Sequence, residues 1–417
     1  MKHSALQSGL DYVFSFFERG YRRQTGRYDR EVRRPDVFAA IAADHHILPL
    51  PARTILITGS KGKGTCARLV AAYLQQQGRK VGLVVTPEER HHLDRIRIDG
   101  RPIAAADFLR LLASFQPALD ATADASADAS ADAYYHPPTA IFLLIALKYF
   151  REREVDYIVI EGGRGAQFDE IGQLQAAVGI VTSVLPEHLK KLGPTLRDVC
   201  LGKFSLASHC EVVVCSAQSR QQAQLMDIPV ESGKLRVAEL RDVIFHNRPA
   251  WLATADAMAR EALQVLGMQP GAFPQDENIF ASCQLITERN APMLQQEQVV
   301  FLDGAIAADC LDFAYIVSEQ CRPNAIVFGM SADKDAQAIA DAFAAQGYEN
   351  QFFFKAGSGI NHVAPLPFVT QWAGSFDTKT GLDQASRTAL LELIAGHKRV
   401  YVVGVQIFLR SVRNALI

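Results

Sequence analysis

A glycine-rich stretch that also holds two lysines and a threonine is the part of the sequence best suited to chemistry. It comprises Gly59, Ser60, Lys61, Gly62, Lys63, Gly64 and Thr65. Glycines allow backbone angles and close approaches that a Cβ would block. Between a strand and a helix, such a stretch holds phosphates with backbone N–H groups, a lysine neutralises their charge, and a hydroxyl ligates Mg²⁺. The pattern favours a nucleotide triphosphate site that uses Lys63 and Thr65; a plain glycine turn with an incidental lysine is the alternative.

The flanking sequence supplies the strand and the helix that this site requires. The apolar run 55–57 predicts a buried strand, and the apolar spacing at 69–74 predicts the core face of a helix that begins near Lys63. Glu161 follows a second predicted strand, 155–160, and precedes two glycines. A carboxylate at the carboxyl end of a strand lies where open α/β sheets bind their ligands.

Length and composition predict a folded protein of two or three domains with no global bias toward nucleic acid or membranes. The 417 residues are 49% hydrophobic and 21% charged, with a formal net charge of −2. We find no signal-peptide pattern at the N-terminus and no run of eighteen apolar residues. Seven scattered cysteines without a C-x-x-C motif indicate reduced thiols. We therefore expect a cytoplasmic protein that binds small molecules and is a monomer or small homo-oligomer.

Alternating strand and helix patterns predict two α/β domains, at 1–275 and 281–417, joined by a Pro/Gly-rich linker. The first contains an N-terminal helix and an Ala/Asp-rich surface loop at 119–135. We interpret residues 22–34 as a solvated connector. The second domain has Gly and Asp after successive strands but no phosphate loop, so we expect the functional cleft between the domains.

Ordered motifs over nearly the whole length resemble the folylpolyglutamate synthase/dihydrofolate synthase branch of the Mur ligase superfamily. The family's phosphate loop, G-T-[NK]-G-K-G-S, matches residues 59–65 and accounts for the short glycine interval. Further matches, in chain order, lie at residues 94–103 (E-R-I-R-I-N-G-x-P-I), 160–169 (L-E-V-G-x-G-G-R-x-D), 182–195 (T-S-I-x-x-D-H and L-G-x-T), 202–205 (E-K-A-G), 302–307 (L-D-G-A-H-N) and 328–335 (F-G-x-x-x-D-K-D).

The resemblance implies a P-loop parallel-sheet ATPase domain, a smaller Rossmann-like C-terminal domain and an ADP-forming ligase. Such enzymes phosphorylate a carboxylate with ATP, and an amine then attacks the acyl phosphate to form an amide. The resemblance assigns catalytic roles to Lys63, Glu161, His188 and Lys203. It implies up to two Mg²⁺ ions, with Thr65, Glu161 and His188 as ligands. It also implies carbamylation of Lys203, for which an uncarbamylated surface lysine is the alternative. Asp303 would hydrogen-bond the ATP ribose, and the cofactor-binding Asp333 lies in a loop, 333–335, that would line the interdomain cleft.

Several substrate and base contacts of the family are replaced here, which indicates a diverged member. The changes are Pro186-Glu187-His188 for L-D-H, Gly202 before the special lysine, Thr86-Pro87-Glu88 for S-P-H, Gln284 for the arginine of P-G-R-L-E, Ile306 and Ala307 after D-G-A, and His246–Ala250 for H-Q-x-x-N. We expect a small carboxylic acid, folate or another, joined to an amino acid such as glutamate. A non-catalytic nucleotide-binding scaffold is the second hypothesis, and a P-loop motor or GTPase is a weaker third.

Overall fold

The computed structural model describes residues 4–24, 26–88, 90–124, 136–231, 233–240, 250–274, 283–287, 291–305, 307–319, 321–331, 334–356, 369–377 and 381–417. The chain divides into two compact units. Unit 1 comprises residues 1–243 and 252–279, and unit 2 comprises residues 244–251 and 280–417. Within the described residues, no helix combines the length and the apolar character needed to cross a bilayer.

The first part of the chain alternates strands and helices. Its strands are β1 (Thr54–Thr58), β2 (Val81–Val84), β3 (Ile96–Ile98), β4 (Arg101–Pro102), β5 (Tyr157–Glu161), β6 (Ala176–Val181), β7 (Cys210–Cys215) and β8 (Leu235–Val237). Its helices are α1 (Ala5–Gln24), α2 (Asp29–Val32), α3 (Pro35–Asp44), α4 (Lys63–Gln76), α5 (Ala105–Asp124), α6 (Pro138–Glu152), α7 (Leu189–Leu192), α8 (Leu196–Phe204), α9 (Ala217–Leu225) and α10 (Ala250–Val265).

The eight strands form one sheet in the order β4-β3-β2-β5-β1-β6-β7-β8. The six from β2 to β8 are parallel, as the βα alternation predicts. The edge differs from that prediction, because β3 and β4 pair antiparallel across a tight turn. Asp99 and Gly100 both have positive φ there, which suits a two-residue hairpin. Every residue of β1 is buried, so the glycine-rich stretch follows a fully enclosed strand.

Two sequence-based interpretations of unit 1 were wrong. The Ala/Asp-rich stretch is helical as far as Asp124, because α5 carries a core face that includes Phe115 and Leu119; residues 125–135 lie outside the described part. The supposed solvated connector contains α2, and Asp29 is only 4% exposed because it pairs with Arg164. The basic character of residues 22–34 suggested a solvated surface and did not indicate a partner 135 residues away.

The second part of the chain forms a seven-stranded sheet in the order β14-β13-β12-β11-β15-β10-β9. These strands are β9 (Cys283–Thr287), β10 (Val299–Asp303), β11 (Ala325–Met330), β12 (Gln351–Ala356), β13 (Val369–Asp377), β14 (Gly381–Leu382) and β15 (Arg399–Gly404). The helices are α11 (Phe313–Ile316), α12 (Ala336–Ala345), α13 (Gln384–Ala395) and α14 (Gln406–Leu416). The two edge strands are antiparallel and the five between them are parallel.

Both faces of this second sheet are covered, as its apolar strands predict. Val300 and Leu302 of β10 pack in the core cluster that includes α13 and α14. Phe301 packs in the cluster on the opposite face with Phe343 of α12.

Candidate functional site

Residues 59–65, here called the glycine loop, leave β1 and enter α4 as predicted. Gly59 has φ +141° and Gly62 has φ +78°, conformations that residues with side chains rarely adopt. Gly62 is the N-cap of α4, and its carbonyl accepts a hydrogen bond from the Cys66 N–H at 2.9 Å. The loop thus leads into the positive end of a 14-residue helix, an arrangement that favours bound anions.

The segment after β6 fixes the shape of the glycine loop. The Ser60 N–H donates to the Ser183 carbonyl at 2.8 Å, and the Lys61 N–H donates to Ser183 Oγ at 2.8 Å. Thr182 Oγ1 donates to the Lys61 carbonyl at 2.5 Å. A Cβ added to Gly59 would lie 2.0 Å from the same Thr182 hydroxyl, so glycine is required there for space as well as for φ. Thr182 and Ser183 matched a family motif in the sequence, but nothing in the sequence indicated that they contact the glycine loop.

The first turn of α4 meets Glu161, the last residue of β5. A Cβ on Gly64 would lie 3.2 Å from Glu161 Oε2, so the carboxylate packs against this turn. Glu161 is 7% exposed and its Oε2 accepts a hydrogen bond from the Thr86 N–H at 3.0 Å. Thr65 is buried one residue further along the same turn. Lys63 Nζ donates back to the Gly59 carbonyl at 2.9 Å and so lies over the loop that it would serve.

A second cluster of charged residues includes Lys203, whose side chain is fully buried. Its Nζ donates to the Arg164 carbonyl at 2.9 Å and to Glu187 Oε1 at 3.2 Å. Burial lowers the pKa of Lys203 to about 8, with the attraction of Glu187 acting in the opposite sense. Burial also opposes ionisation of Glu187, but Lys203 and then Lys63 hold the pKa of that carboxyl below its ordinary value. Lys203 is therefore not a surface lysine, and its carbamylation stays a prediction.

His188 adjoins this group at the N-cap of α7, with φ +52°. Its Nε2 lies 3.9 Å from Glu187 Oε2, and its side chain is one-third exposed. Lys63 acts electrostatically on both Glu187 and Lys203, so the two groups belong to one charged region. Glu187 was noticed only as a departure from the family motif, and its pairing with Lys203 is the contact that the sequence did not reveal.

The residues present suit Mg²⁺ better than a metal bound entirely by protein. In the part of the chain that the structure describes, no cluster of three His, Cys, Asp or Glu side chains could enclose a metal ion. Mg²⁺ prefers oxygen ligands and usually keeps waters and substrate phosphates in its coordination sphere. The hydroxyl of Thr65 and the carboxylate of Glu161 are such donors on adjoining elements. The ligand set Thr65, Glu161 and His188 stays a prediction.

A small cavity lies beside Glu161, and the sequence-based interpretation did not foresee its polar wall. It is lined by apolar side chains such as Phe142 and by Asp169, Glu170 and Arg95. Arg95 Nη2 lies 2.6 Å from Glu88 Oε2, and its guanidinium lies over the Phe142 ring. Burial opposes ionisation of Glu88, but hydrogen bonding to His92 and the charge of Arg95 hold its pKa well below the usual range. The Glu88 that replaces the family's histidine therefore carries a negative charge that Arg95 balances.

In unit 2, Asp303 ends β10 and is 6% exposed. Its Oδ1 accepts from the Ala305 N–H at 2.8 Å and its Oδ2 from the Tyr401 hydroxyl at 2.5 Å. These contacts show how unit 2 holds the carboxylate, and the proposed ribose contact stays a prediction. Asp333 lies outside the described residues, while the neighbouring Asp335 caps α12 through Ala338 N–H.

Comparison with known proteins identifies the central part of the chain. Residues 57–234 match the family model of the Mur ligase middle domain. The folylpolyglutamate synthase of Lacticaseibacillus casei is 32% identical over 154 residues, which cover 37% of this chain and 35% of that protein. The dihydrofolate synthase/folylpolyglutamate synthase of Bacillus subtilis (strain 168) is 26% identical over 202 residues, 46% of this chain and 44% of that protein. The chain thus matches less than half the length of either relative.

Solved structures extend the likeness to most of the chain. Folylpolyglutamate synthase from Thermotoga maritima superposes with a TM-score of 0.67 at 15% identity, covering 92% of this chain and 93% of that one. The Mycobacterium tuberculosis folylpolyglutamate synthase complexed with ADP and AMPPCP gives 0.65 at 17% identity, covering 92% and 95%. At these identities the likeness shows the fold, and it confirms the predicted Mur-ligase-like α/β architecture.

Proposed function

We propose, on the premise that residues 57–234 form a Mur ligase middle domain, that this protein is an ATP-dependent ligase. It would join a small carboxylic acid to an amino acid such as glutamate, forming ADP and phosphate through an acyl phosphate. The observation that carries the proposal is the glycine loop at the start of α4 with the buried carboxylate of Glu161 packed against it. Folate is one candidate acid among several.

Positioning and charge neutralisation account for the expected work of the protein, since the reaction needs no covalent bond to the enzyme. Lys63 would leave the Gly59 carbonyl and neutralise the β- and γ-phosphates. Thr65 and Glu161 would hold Mg²⁺, which when bound offsets phosphate charge during transfer of the phosphoryl group. The carboxylate oxygen of the acid attacks the γ-phosphorus and ADP leaves; the amine then attacks the acyl carbon and phosphate leaves.

An ADP-release assay tests this proposal directly. Purified protein is incubated with ATP, a panel of small acids that includes folates, and a panel of amino acids, each with and without Mg²⁺. We expect ADP release that needs one acid, one amino acid and Mg²⁺ together, and that Lys63→Ala abolishes. Lys398→Ala is the matched control, because that lysine is 80% exposed in unit 2. Nucleotide binding without turnover for any pair would instead favour the non-catalytic scaffold.

Carbamylation of Lys203 belongs to the same proposal and needs its own experiment. Reaction of the neutral amine with CO₂ gives a carbamate and releases one proton. The carbamate would add a carboxylate beside Glu187 and would change both hydrogen bonds of Nζ. We expect a ¹³C carbamate signal after incubation with ¹³C-bicarbonate that is absent in Lys203→Arg. Identical spectra for the two proteins would contradict it.

A further inference from the structure

Two arginine–carboxylate pairs join residues 27–33, here called the N-terminal strap, to the loop of residues 162–170, here called the β5 loop. In the first pair the β5 loop donates. Arg164 Nη2 contacts Asp29 Oδ1 at 2.7 Å, and its Nε contacts Oδ2 at 3.1 Å. This fork-to-fork geometry is the strong, directional form of an ion pair. Asp29 is 4% exposed, so its carboxylate depends on this partner.

In the second pair the strap donates. Arg33 Nη2 contacts both oxygens of Glu170, at 2.9 and 2.8 Å, while its Nε donates to the Phe168 carbonyl at 3.2 Å. The side chains of Arg33 and Glu170 are 8% and 3% exposed. The strap supplies the carboxylate of the first pair and the guanidinium of the second. Each segment therefore presents one cation and one anion of these pairs to the other. The two segments are thus matched to each other along their length.

The β5 loop connects the parts of the candidate site. It begins directly after Glu161, and the Arg164 carbonyl accepts the hydrogen bond of Lys203 Nζ at 2.9 Å. The Ala166 N–H donates to the Gly202 carbonyl at 2.7 Å, which ties the loop to α8 next to Lys203. Its far end, with Asp169 and Glu170, forms the polar wall of the cavity beside Glu161.

The strap also reaches the segment that follows His188. Lys191 Nζ, on α7, donates to the Arg27 carbonyl at 3.4 Å. The strap itself has little regular structure to hold it in place, because α2 is a single turn of four residues. The position of the strap therefore depends on these contacts with residues distant in sequence. The same contacts fix the backbone around Lys203 and the cavity.

We infer that the strap is a positioning element for the β5 loop, with Asp29, Arg33 and their partners Arg164 and Glu170 as positioning residues. This inference rests on the proposed function for its catalytic meaning. The strap sets the backbone that holds Lys203 and the wall of the cavity beside Glu161. None of the glycine-loop residues, all of which the structure describes, lines this cavity, and the inference assigns it to the acid. The glycine loop is held separately by residues 182–185. Loosening the strap should therefore impair use of the acid and leave nucleotide binding intact.

The first experiment measures hydrogen–deuterium exchange in peptides that cover 162–170 and 197–204 of the full chain. For Asp29→Asn and Arg33→Met we expect faster exchange in both peptides by about tenfold or more, since each change removes one of the two ion pairs that join the β5 loop to the strap. Arg34→Gln is the matched control, because Arg34 pairs with Asp36 at the surface, where both side chains are more than half exposed. Wild-type exchange rates in folded Asp29→Asn and Arg33→Met proteins would overturn the inference.

A double variant separates the positioning of the β5 loop from the loss of stability that an unpaired buried charge causes. Arg33→Met/Glu170→Gln removes both buried charges, so we expect its melting temperature to recover relative to Arg33→Met. Exchange in 162–170 should nevertheless stay fast, because nothing then holds the loop to the strap. Recovery of both properties would contradict the inference, since the pair would then contribute no positional restraint.

Binding and kinetic measurements connect the strap to the acid. By calorimetry, we expect ADP affinity in Arg33→Met/Glu170→Gln to stay within about twofold of wild type, because the glycine loop has its own support. With an acid that turns over, KM for the acid should rise by about tenfold while KM for ATP changes little. Equal weakening of acid and nucleotide would overturn the inference. If no acid turns over, the proposed ligase activity fails, while exchange and ADP binding still report on the strap.

Discussion

In protein whose Lys203 carries no carbamate, replacing this lysine by methionine should lower the free energy of unfolding, because Glu187 loses its charge partner. The methionine fills a similar volume in a fully buried position, so packing changes little. Glu187, however, loses the ammonium that lies 3.2 Å from its Oε1, and its side chain is only 11% exposed. Removing one partner of a buried ion pair costs about 3–5 kcal/mol, because the remaining charge is left without compensation. We expect a loss of free energy of unfolding in this range at pH 7.

The pKa of Lys203 predicts how the companion double variant behaves. Burial lowers this pKa from 10.5 to about 8 even with Glu187 present. The difference corresponds to about 3 kcal/mol, which the fold expends to keep the ammonium charged at pH 7. Because the folded pKa lies below the unfolded one, this cost is fully present below pH 8 and disappears as the pH rises toward 10.5. The double variant Glu187→Gln/Lys203→Met removes both buried charges and should recover most of the loss.

Urea unfolding followed by circular dichroism measures all three proteins. At pH 7 we expect the order of midpoints to be wild type and double variant above Lys203→Met, with unchanged slopes. Between pH 8 and 10.5 the wild type should gain stability relative to the double variant, because its lysine then folds in the neutral form. A single variant as stable as the wild type, or a double variant no more stable than the single one, would refute the reasoning.

Three further predictions concern the glycine loop and its surroundings. Lys63→Ala should abolish ADP release, measured with a coupled assay, while the urea midpoint stays near that of the wild type. The chain loses the 2.9 Å bond to the Gly59 carbonyl, and the charge of Lys63 favours ionised Glu187 but disfavours protonated Lys203. Gly59→Ala should lower the melting temperature and weaken ADP binding by calorimetry, since the added Cβ would lie 2.0 Å from Thr182 Oγ1 and φ is +141°; unchanged ADP affinity would contradict this. His188→Ala should lower kcat more than it weakens ATP binding, and an equal effect on both would count against a role in the chemical step.

The strand–loop–helix at residues 54–76 could be predicted from the sequence because every signal there is local. The apolar run, the glycines and the helical spacing all fall within about twenty residues, and the structure places β1, the glycine loop and α4 accordingly. Glu161 was equally accessible, since a carboxylate that ends a buried strand has a fixed place in a parallel sheet.

Contacts between residues distant in sequence could not be predicted in this way. Asp29 and Arg164 lie 135 residues apart in the sequence, and no motif around either residue indicates that the two form a pair. Residues 22–34 have the charge of a solvated surface, and only the fold shows that Asp29 and Arg33 are buried against the β5 loop. The pairing of Glu187 with Lys203 likewise depends on how α8 packs.

Contacts with residues distant in sequence also explain how the glycine loop keeps its shape despite the short interval between its glycines. A loop with fewer residues between its glycines has less freedom to shape itself around a phosphate. Here the Ser60 and Lys61 backbone groups bond to Ser183, and Ser60 Oγ accepts from the Leu185 N–H at 2.9 Å. The segment that follows β6 therefore supplies part of the rigidity that a longer loop would obtain from its own residues. Ser183→Ala removes the Oγ that accepts the Lys61 N–H, so it should weaken ADP binding by loosening the loop. Unaltered affinity would show that the loop keeps its shape without this bond.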